Sequence, residues 1–483
     1  MRMLVLGIDG GDERIFRAFD MPNFKAIAKK NVSVRVTEDL WSRGWAKMLT
    51  DTDVLGSGGV YERPLADGSR SFTQRFGRDE IDANPHIRSL WELLAERGVT
   101  TGFMNIPGTF PATPINGFFV SGAGAGIGNI DGIPGELCSS EDVQRDLESL
   151  GYVPDTRFMV SGIRDEQVFF DRLEFMLRKR VEAFVFLARK HASSFGMLAL
   201  MATSRVQYLA MHDIQELVDR SEKTGEPASA LSPIQERIRH LYSVLDEVIG
   251  IVFNEISPER FIITADHGAV PFRYTANANA FLARIGVLTT APGHETWKRL
   301  LDFSPTKVFP YYFLRVFAHS TLQQIHDPVL WTETKAFGHR YVPGIYLNDD
   351  RFRGPVTNQE KSALVANIVG RFNASPEAAK YAMQARPYRE RHLDSLYERI
   401  LPDIWIDAPD DLFFEGSGAF VEKNPYFKPL TDLAMIHKDM YAGLKGKHPV
   451  FITDSTTESL FLEKDPRDLT LVYKLADRTF QKQ

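Results

Sequence analysis

The chain has 483 residues, 43% of them hydrophobic, enough to bury a large core as one big domain or as two to three smaller ones. A formal charge of −6, without basic clusters interleaved with aromatics, argues against nucleic acid as the main partner. The single cysteine, Cys138, excludes an intramolecular disulfide and a thiolate zinc cluster, so a metal must be held by Asp, Glu, His or hydroxyl oxygens.

In chain order, Met3-Leu4-Val5-Leu6-Gly7-Ile8 reads as a buried strand that runs into Asp9-Gly10-Gly11. That apolar run is too short for a secretory segment, and no run approaches the roughly 18–20 residues that span a bilayer. The expectation is a soluble cytoplasmic protein with no membrane contact. The segment Met21-Pro22-Asn23-Phe24 leads into a helix, and Val32–Val36 reads as a strand. Ser89–Gly98 spaces Leu90, Leu93 and Leu94 as a helix face, with Gly98 as its stop. Strands follow at Val99–Asn105 and Phe195–Met201, and helices at residues 165–192 and 232–254. Phe261–Thr264 completes a β-α-β-α series, which argues for a mainly parallel sheet flanked by helices.

From Thr275 to about Ala385 the pattern breaks into short helices, an aromatic stretch at Phe309–Phe313, Trp331, and a strand at Gly344–Asn348. This region reads as a cap inserted into one domain spanning residues 1–483, and the aromatics read chiefly as its own small core. A late strand lies at Val450–Thr453. Gly56-Ser57-Gly58-Gly59 lacks the preceding strand and following Lys of a P-loop and reads as a flexible loop. No Gly-x-Ser-x-Gly elbow is present.

The most informative stretch is Ile262-Ile263-Thr264-Ala265-Asp266-His267-Gly268. A buried strand ending in Asp and His presents two metal ligands at its carboxyl end, where open α/β sheets place their sites. Asp9 ends the first strand in the same way, and two such strands suggest one shared metal site.

These segments, with Asn105-Ile106-Pro107-Gly108 and Asn116–Gly122, resemble the alkaline phosphatase superfamily, especially its phosphodiesterase and nucleotide pyrophosphatase branch. The resemblance covers most of the chain. It implies a three-layer sandwich with a two-metal site at the strand ends and a Thr or Ser nucleophile. Asp9, Asp266 and His267 match the ligands of one metal. In the nucleophile region, Trp41-Ser42-Arg43-Gly44, aligning Thr50 with the motif puts Trp41 at the nucleophile position, and a one-residue shift gives Ser42. Ser42 is then the nucleophile or merely the cap of a helix over Gly44–Leu49, and Arg43 is poised to contact an anionic substrate.

The second metal's ligands are replaced. Ser204-Arg205-Val206-Gln207-Tyr208 stands where the resemblance calls for Asp-x-x-x-His. His212 and Asp213 lie one turn beyond and read as a solvated face. In the last ligand turn Lys445 occupies the His position, with His448 three residues on as the alternative ligand. An ammonium neutralises a phosphoryl oxygen but does not activate water as a zinc ion does.

The resulting expectation is one divalent metal (Zn, Mn or Mg) per chain, held by Asp9, Asp266, His267 and His448, with Ser42, Arg43 and Lys445 acting on the substrate. The reaction expected is hydrolysis or transfer of a phosphoester, phosphodiester or related anionic ester of small size. The alternative is a repurposed relative that binds an anion or runs non-hydrolytic chemistry. Oligomeric state leaves no mark in the sequence.

Overall fold

The structure, a computed structural model, describes residues 1–122, 133–155, 166–227, 230–290, 329–415, 419–433 and 441–481. Its centre is a seven-stranded sheet in the order Val32–Ser33, Phe451–Thr453, Arg260–Thr264, Met3–Ile8, Phe195–Leu200, Thr101–Ile106, Gly117–Ser121. The last five of these run parallel; Phe451–Thr453 is antiparallel to them, and the edge strand Val32–Ser33 is in turn antiparallel to Phe451–Thr453.

Alternation across the pleat explains why these strands read as unbroken apolar runs. Leu4, Leu6 and Ile8 pack into one core, with Leu198, Leu200, Met104 and Ile263. Met3 and Val5 face the other, with Met197, Phe103 and Ile262. Both faces are covered, so both sets of alternating side chains are apolar. The first core is roofed by the helices Glu166–Lys190, Ala202–Thr224 and Pro233–Ile256, and the second by Gly44–Thr50, Leu90–Glu96 and Thr470–Thr479. This is the three-layer arrangement the sequence predicts. Local signals set several ends: Ser89 and Glu92 form a reciprocal capping box, and Gly98 takes φ +70° behind the same helix.

Three local expectations change. Of the predicted Val32–Val36 strand, Val32–Ser33 pairs as strand and Val34 N still donates to Phe451 O at 2.8 Å, where the three-residue neighbour Phe451–Thr453 begins. Residues 54–57 form a helical turn capped by Asp53 and closed by Gly58 at φ +65°, where a flexible loop is predicted. The inserted region does not stop near Ala385. Its four-stranded antiparallel sheet, Ala336–Gly338, Gly344–Leu347, Ile404–Asp407, Gln384–Pro387, takes an inner strand from beyond that point.

The inserted region has its own core of Phe337, Tyr346, Phe352 and Ile404, joined by Trp41, Val54 and Val60 from the N-terminal part. Its fully buried Arg351 bonds to Asp349 at 3.0 Å and pairs with Asp403. Trp331 stacks edge-on to Phe337 with Arg70 over its ring, while Phe309–Phe313 lies outside the described residues.

Candidate metal centre

Asp9 follows the Met3–Ile8 strand, and Asp266 and His267 follow its parallel neighbour Arg260–Thr264. Because the two strands pair directly and end together, the three side chains converge, all less than 8% exposed. Their ligand atoms lie within 4.8 Å of one another, the one such group among the described residues. His267 Nε2 is 3.5 Å from Asp9 Oδ1 and 3.6 Å from Asp266 Oδ2.

The electrostatics suit a cation. His267 Nδ1 lies 2.6 Å from the Gly268 carbonyl. With Nδ1 assigned as the donor, the Nε2 lone pair faces the two carboxylates. Burial, then the nearby Lys445 ammonium, pushes the imidazole down to about 3, so it is neutral, the form that ligates metals. Burial, then the Asp266 charge, pushes Asp9 up to about 6. Burial likewise raises Asp266. Asp266 Oδ1 is buried with no hydrogen-bond partner. An orphaned carboxylate oxygen, a second carboxylate and a neutral imidazole are a donor set that fits one divalent cation.

Lys445 joins this cluster. It sits on the strand Gly443–Gly446, which pairs antiparallel with Gly268–Pro271 just beyond His267. Its Nζ is 3.9 Å from Asp266 Oδ2 and 3.3 Å from the centre of the Tyr61 ring. Burial pushes the ammonium down to about 8 against the pull of Asp266 and Asp9. His448 is not brought in. It lies past the end of that strand, where its ring meets Val36 O at 3.2 Å, Thr37 Oγ1 at 3.4 Å and Arg35 Nη2 at 3.5 Å. The expectation that His448 completes the metal site is corrected: the pairing of Lys445 with Ala269 selects Lys445 for the cluster instead.

Ser204 and Tyr208, four apart on one face of Ala202–Thr224, occupy the side toward Asp9. Ser204 bonds to the Asp9 carboxyl, and the Tyr208 hydroxyl is 3.4 Å from His267 Nε2. Neutral groups therefore stand where the resemblance calls for two more ligands. His212 and Asp213 are neither ligands nor a solvated face: the His212 ring lies 5.1 Å from that of Phe427, and buried Asp213 accepts from Leu430 N at 2.9 Å.

Ser42 is buried, and its hydroxyl donates to Asp39 Oδ2 at 2.7 Å. It does not cap the helix Gly44–Thr50, whose N-cap is Arg43, without a side-chain bond. The segment nevertheless abuts the cluster, since a Cβ on Gly44 would lie 2.5 Å from the Asp266 carbonyl oxygen. Arg43 spends its donors on backbone carbonyls, with Nε on Val60 O at 2.8 Å and Nη2 on Gln74 O at 2.5 Å, and lies over the Tyr61 ring. The structure thus places Arg43 as a brace for the Tyr61 loop.

Tyr61, whose hydroxyl donates to Asp266 Oδ2 at 3.3 Å, escapes sequence reasoning because it lies in irregular chain without periodicity. Tyr208 carries a signal, its i+4 spacing from Ser204, legible only once both are known to face Asp9.

No protein-family model matches the chain, and no curated protein sequence matches it. Solved structures do. Phosphonoacetate hydrolase from Sinorhizobium meliloti 1021, determined with phosphonoacetate and with phosphonoformate, is similar at TM-score 0.55 and 12% identity, covering 99% of this chain and 96% of that one. Murine ectonucleotide pyrophosphatase/phosphodiesterase 5, an inactive form in complex with AMP, is similar at TM-score 0.45 and 13% identity, covering 94% of this chain and 88% of that one. At these identities the likeness to the hydrolase establishes the fold. No helix among the described residues is long and apolar enough to cross a membrane.

Proposed function

Because the chain has the alkaline phosphatase-like fold, we propose that it is a metal-dependent enzyme that hydrolyses or transfers a phosphoester, phosphodiester or related anionic ester at a one-metal site. The observation that carries this reading is the buried trio of Asp9, Asp266 and neutral His267, with Asp266 Oδ1 left unpartnered. A divalent cation held there supplies Lewis-acid polarisation of a phosphoryl oxygen. Lys445 binds a second oxygen of the same group and offsets its charge. The Ser42 hydroxyl, oriented by Asp39, is the candidate nucleophile: as its oxygen bonds to phosphorus its proton passes to the Asp39 carboxylate, the bond from phosphorus to the ester oxygen breaks, and the alkoxide leaves as the alcohol with a proton taken from water. Arg43 holds Tyr61 beneath Lys445.

Phosphonoacetate and phosphonoformate, the ligands of the similar hydrolase, are small phosphorus-bearing anions, the class this cluster suits. One observation favours a second reading, a repurposed site with non-hydrolytic chemistry: Ser204, Tyr208 and Lys445 replace a second cation's ligands with neutral and cationic groups.

Metal analysis after exhaustive dialysis, paired with turnover of p-nitrophenyl phosphate and bis-p-nitrophenyl phosphate under Mn²⁺ or Zn²⁺, tests the proposal. One equivalent of metal per chain, lost in Asp266→Asn together with turnover, supports it. A protein that binds no divalent metal overturns it. Stoichiometric metal without turnover of either ester favours the repurposed reading.

A further inference from the structure

Beside the metal centre lies a second polar cluster that the proposed reaction does not use. The Ser204 that bonds to Asp9 is followed by Arg205, whose Nη2 reaches both oxygens of Asp155, at 2.6 and 2.8 Å. Asp155 is also the carboxylate nearest to Arg180, at 3.9 Å, but Arg205 already engages it.

Arg180 projects from the helix Glu166–Lys190 and is 1% exposed. Its Nη2 donates to Pro154 O at 2.6 Å, while Nε and Nη1 are buried without an acceptor. A second orphan donor belongs to the same cluster. Asn105, 1% exposed, sits in the Thr101–Ile106 strand, which pairs with the strand preceding Ser204. Its Oδ1 accepts from the Tyr152 hydroxyl, and its Nδ2 has no partner. Asn105 is held at φ +63°, so the backbone pays strain to keep this amide where it is. Tyr152, which donates to Asn105, also feels the Arg180 charge, and Asp9 acts on Arg180 more weakly than Tyr152, Asp155 and Arg205 do.

Folded chains rarely leave a guanidinium and an amide buried with N–H groups unmet, because each unmet donor forfeits its bond to water. Arg is also the side chain best shaped for an oxyanion. We propose that Arg180 and Asn105 form a subsite for a second anionic group of the substrate, a carboxylate or a second phosphoryl group, while its first phosphoryl group lies at Asp9, Asp266 and His267. This inference rests on the metal-site reading above and narrows its substrate class to small compounds that carry two oxyanions.

The test is calorimetric binding to the Mn²⁺-loaded full chain of methylphosphonate, which has one anionic group, and of phosphonoacetate and methylenediphosphonate, which have two. At least one two-anion probe is expected to bind tenfold or more tightly than methylphosphonate, and the better of the two identifies the second group. In Arg180→Gln that advantage falls to within twofold, with methylphosphonate affinity unchanged. Asn105→Gly, which accepts the positive φ, reduces it several-fold and decides the matter should the arginine variant fail to fold. Equal affinity for all three probes in the parent protein overturns the subsite and leaves the metal reading intact. So does an advantage that persists in either folded variant. Failure of methylphosphonate to bind the metal-loaded protein overturns the metal-site reading, and this inference with it.

Discussion

Lys445→Met removes one charge while keeping a long apolar stem over the Tyr61 ring, and the structure fixes the sign of two separate consequences. The ammonium lies 3.9 Å from Asp266 Oδ2. At that separation a unit-charge pair is worth about 4 kcal/mol at an effective dielectric of about 20, and about 1 kcal/mol in a water-like one. An oxyanion meeting Nζ at a like distance loses an interaction in that range, and because the ammonium is only partly enclosed the expected loss of phosphate affinity is roughly tenfold to a hundredfold. Metal affinity moves the other way. The same ammonium repels a dication at Asp9, Asp266 and His267, so its removal strengthens Mn²⁺ binding. Titration calorimetry of Mn²⁺ into the metal-free protein, then of phosphate into the Mn²⁺-loaded protein, reads the two effects separately. A variant in which both affinities fall together, or neither moves, refutes the placement of Lys445 as the charge that substitutes for a second metal.

Four further outcomes follow from the geometry. Burial and Asp266 raise the Asp9 carboxyl to about 6, so a proton competes with the metal: Mn²⁺ affinity rises about tenfold per pH unit below about pH 6 and flattens above it. The same shift means the metal-free fold holds a proton that the unfolded chain sheds near the ordinary carboxylate value of 3.8. This contribution to stability is full below about pH 4 and lost as pH rises through about 6. Calorimetry from pH 5 to 7.5 checks the binding slope, and a slope unbroken across pH 6 would contradict the assignment. Gly44→Ala drives a Cβ to 2.5 Å from the Asp266 carbonyl oxygen and 2.9 Å from its Cα, so Mn²⁺ affinity falls about tenfold while circular dichroism stays that of the parent. Arg351→Met leaves Asp349 and Asp403 buried beside Lys361 and Arg389 alone, costing about 3 kcal/mol in urea unfolding. Ser42→Ala keeps metal stoichiometry and lowers ester turnover at least a hundredfold; full turnover in that variant removes Ser42 as the nucleophile.

The sequence by itself determined the sheet and one half of the site, for a local reason. A strand buried on both faces is written as a continuous apolar run, and a ligand at its carboxyl end is simply the next residue, so Asp9, Asp266 and His267 are legible without knowledge of any contact. The groups around them arrive from elsewhere in the chain, and only the tertiary structure decided those. Strand pairing chose Lys445 over His448, three residues away, because Lys445 stands opposite Ala269 while His448 lies beyond the ladder. Tyr61 reaches Asp266 from an irregular loop braced by Arg43, and no periodicity announces such a contact. The inserted sheet recruits Ile404–Asp407 across a gap in sequence that composition did not bridge. Arg180 and Asn105, 75 positions apart in the sequence, become one cluster because the Asn105 strand pairs with the strand that leads to Ser204, and Arg205 beside Ser204 claims the carboxylate that Arg180 would otherwise hold.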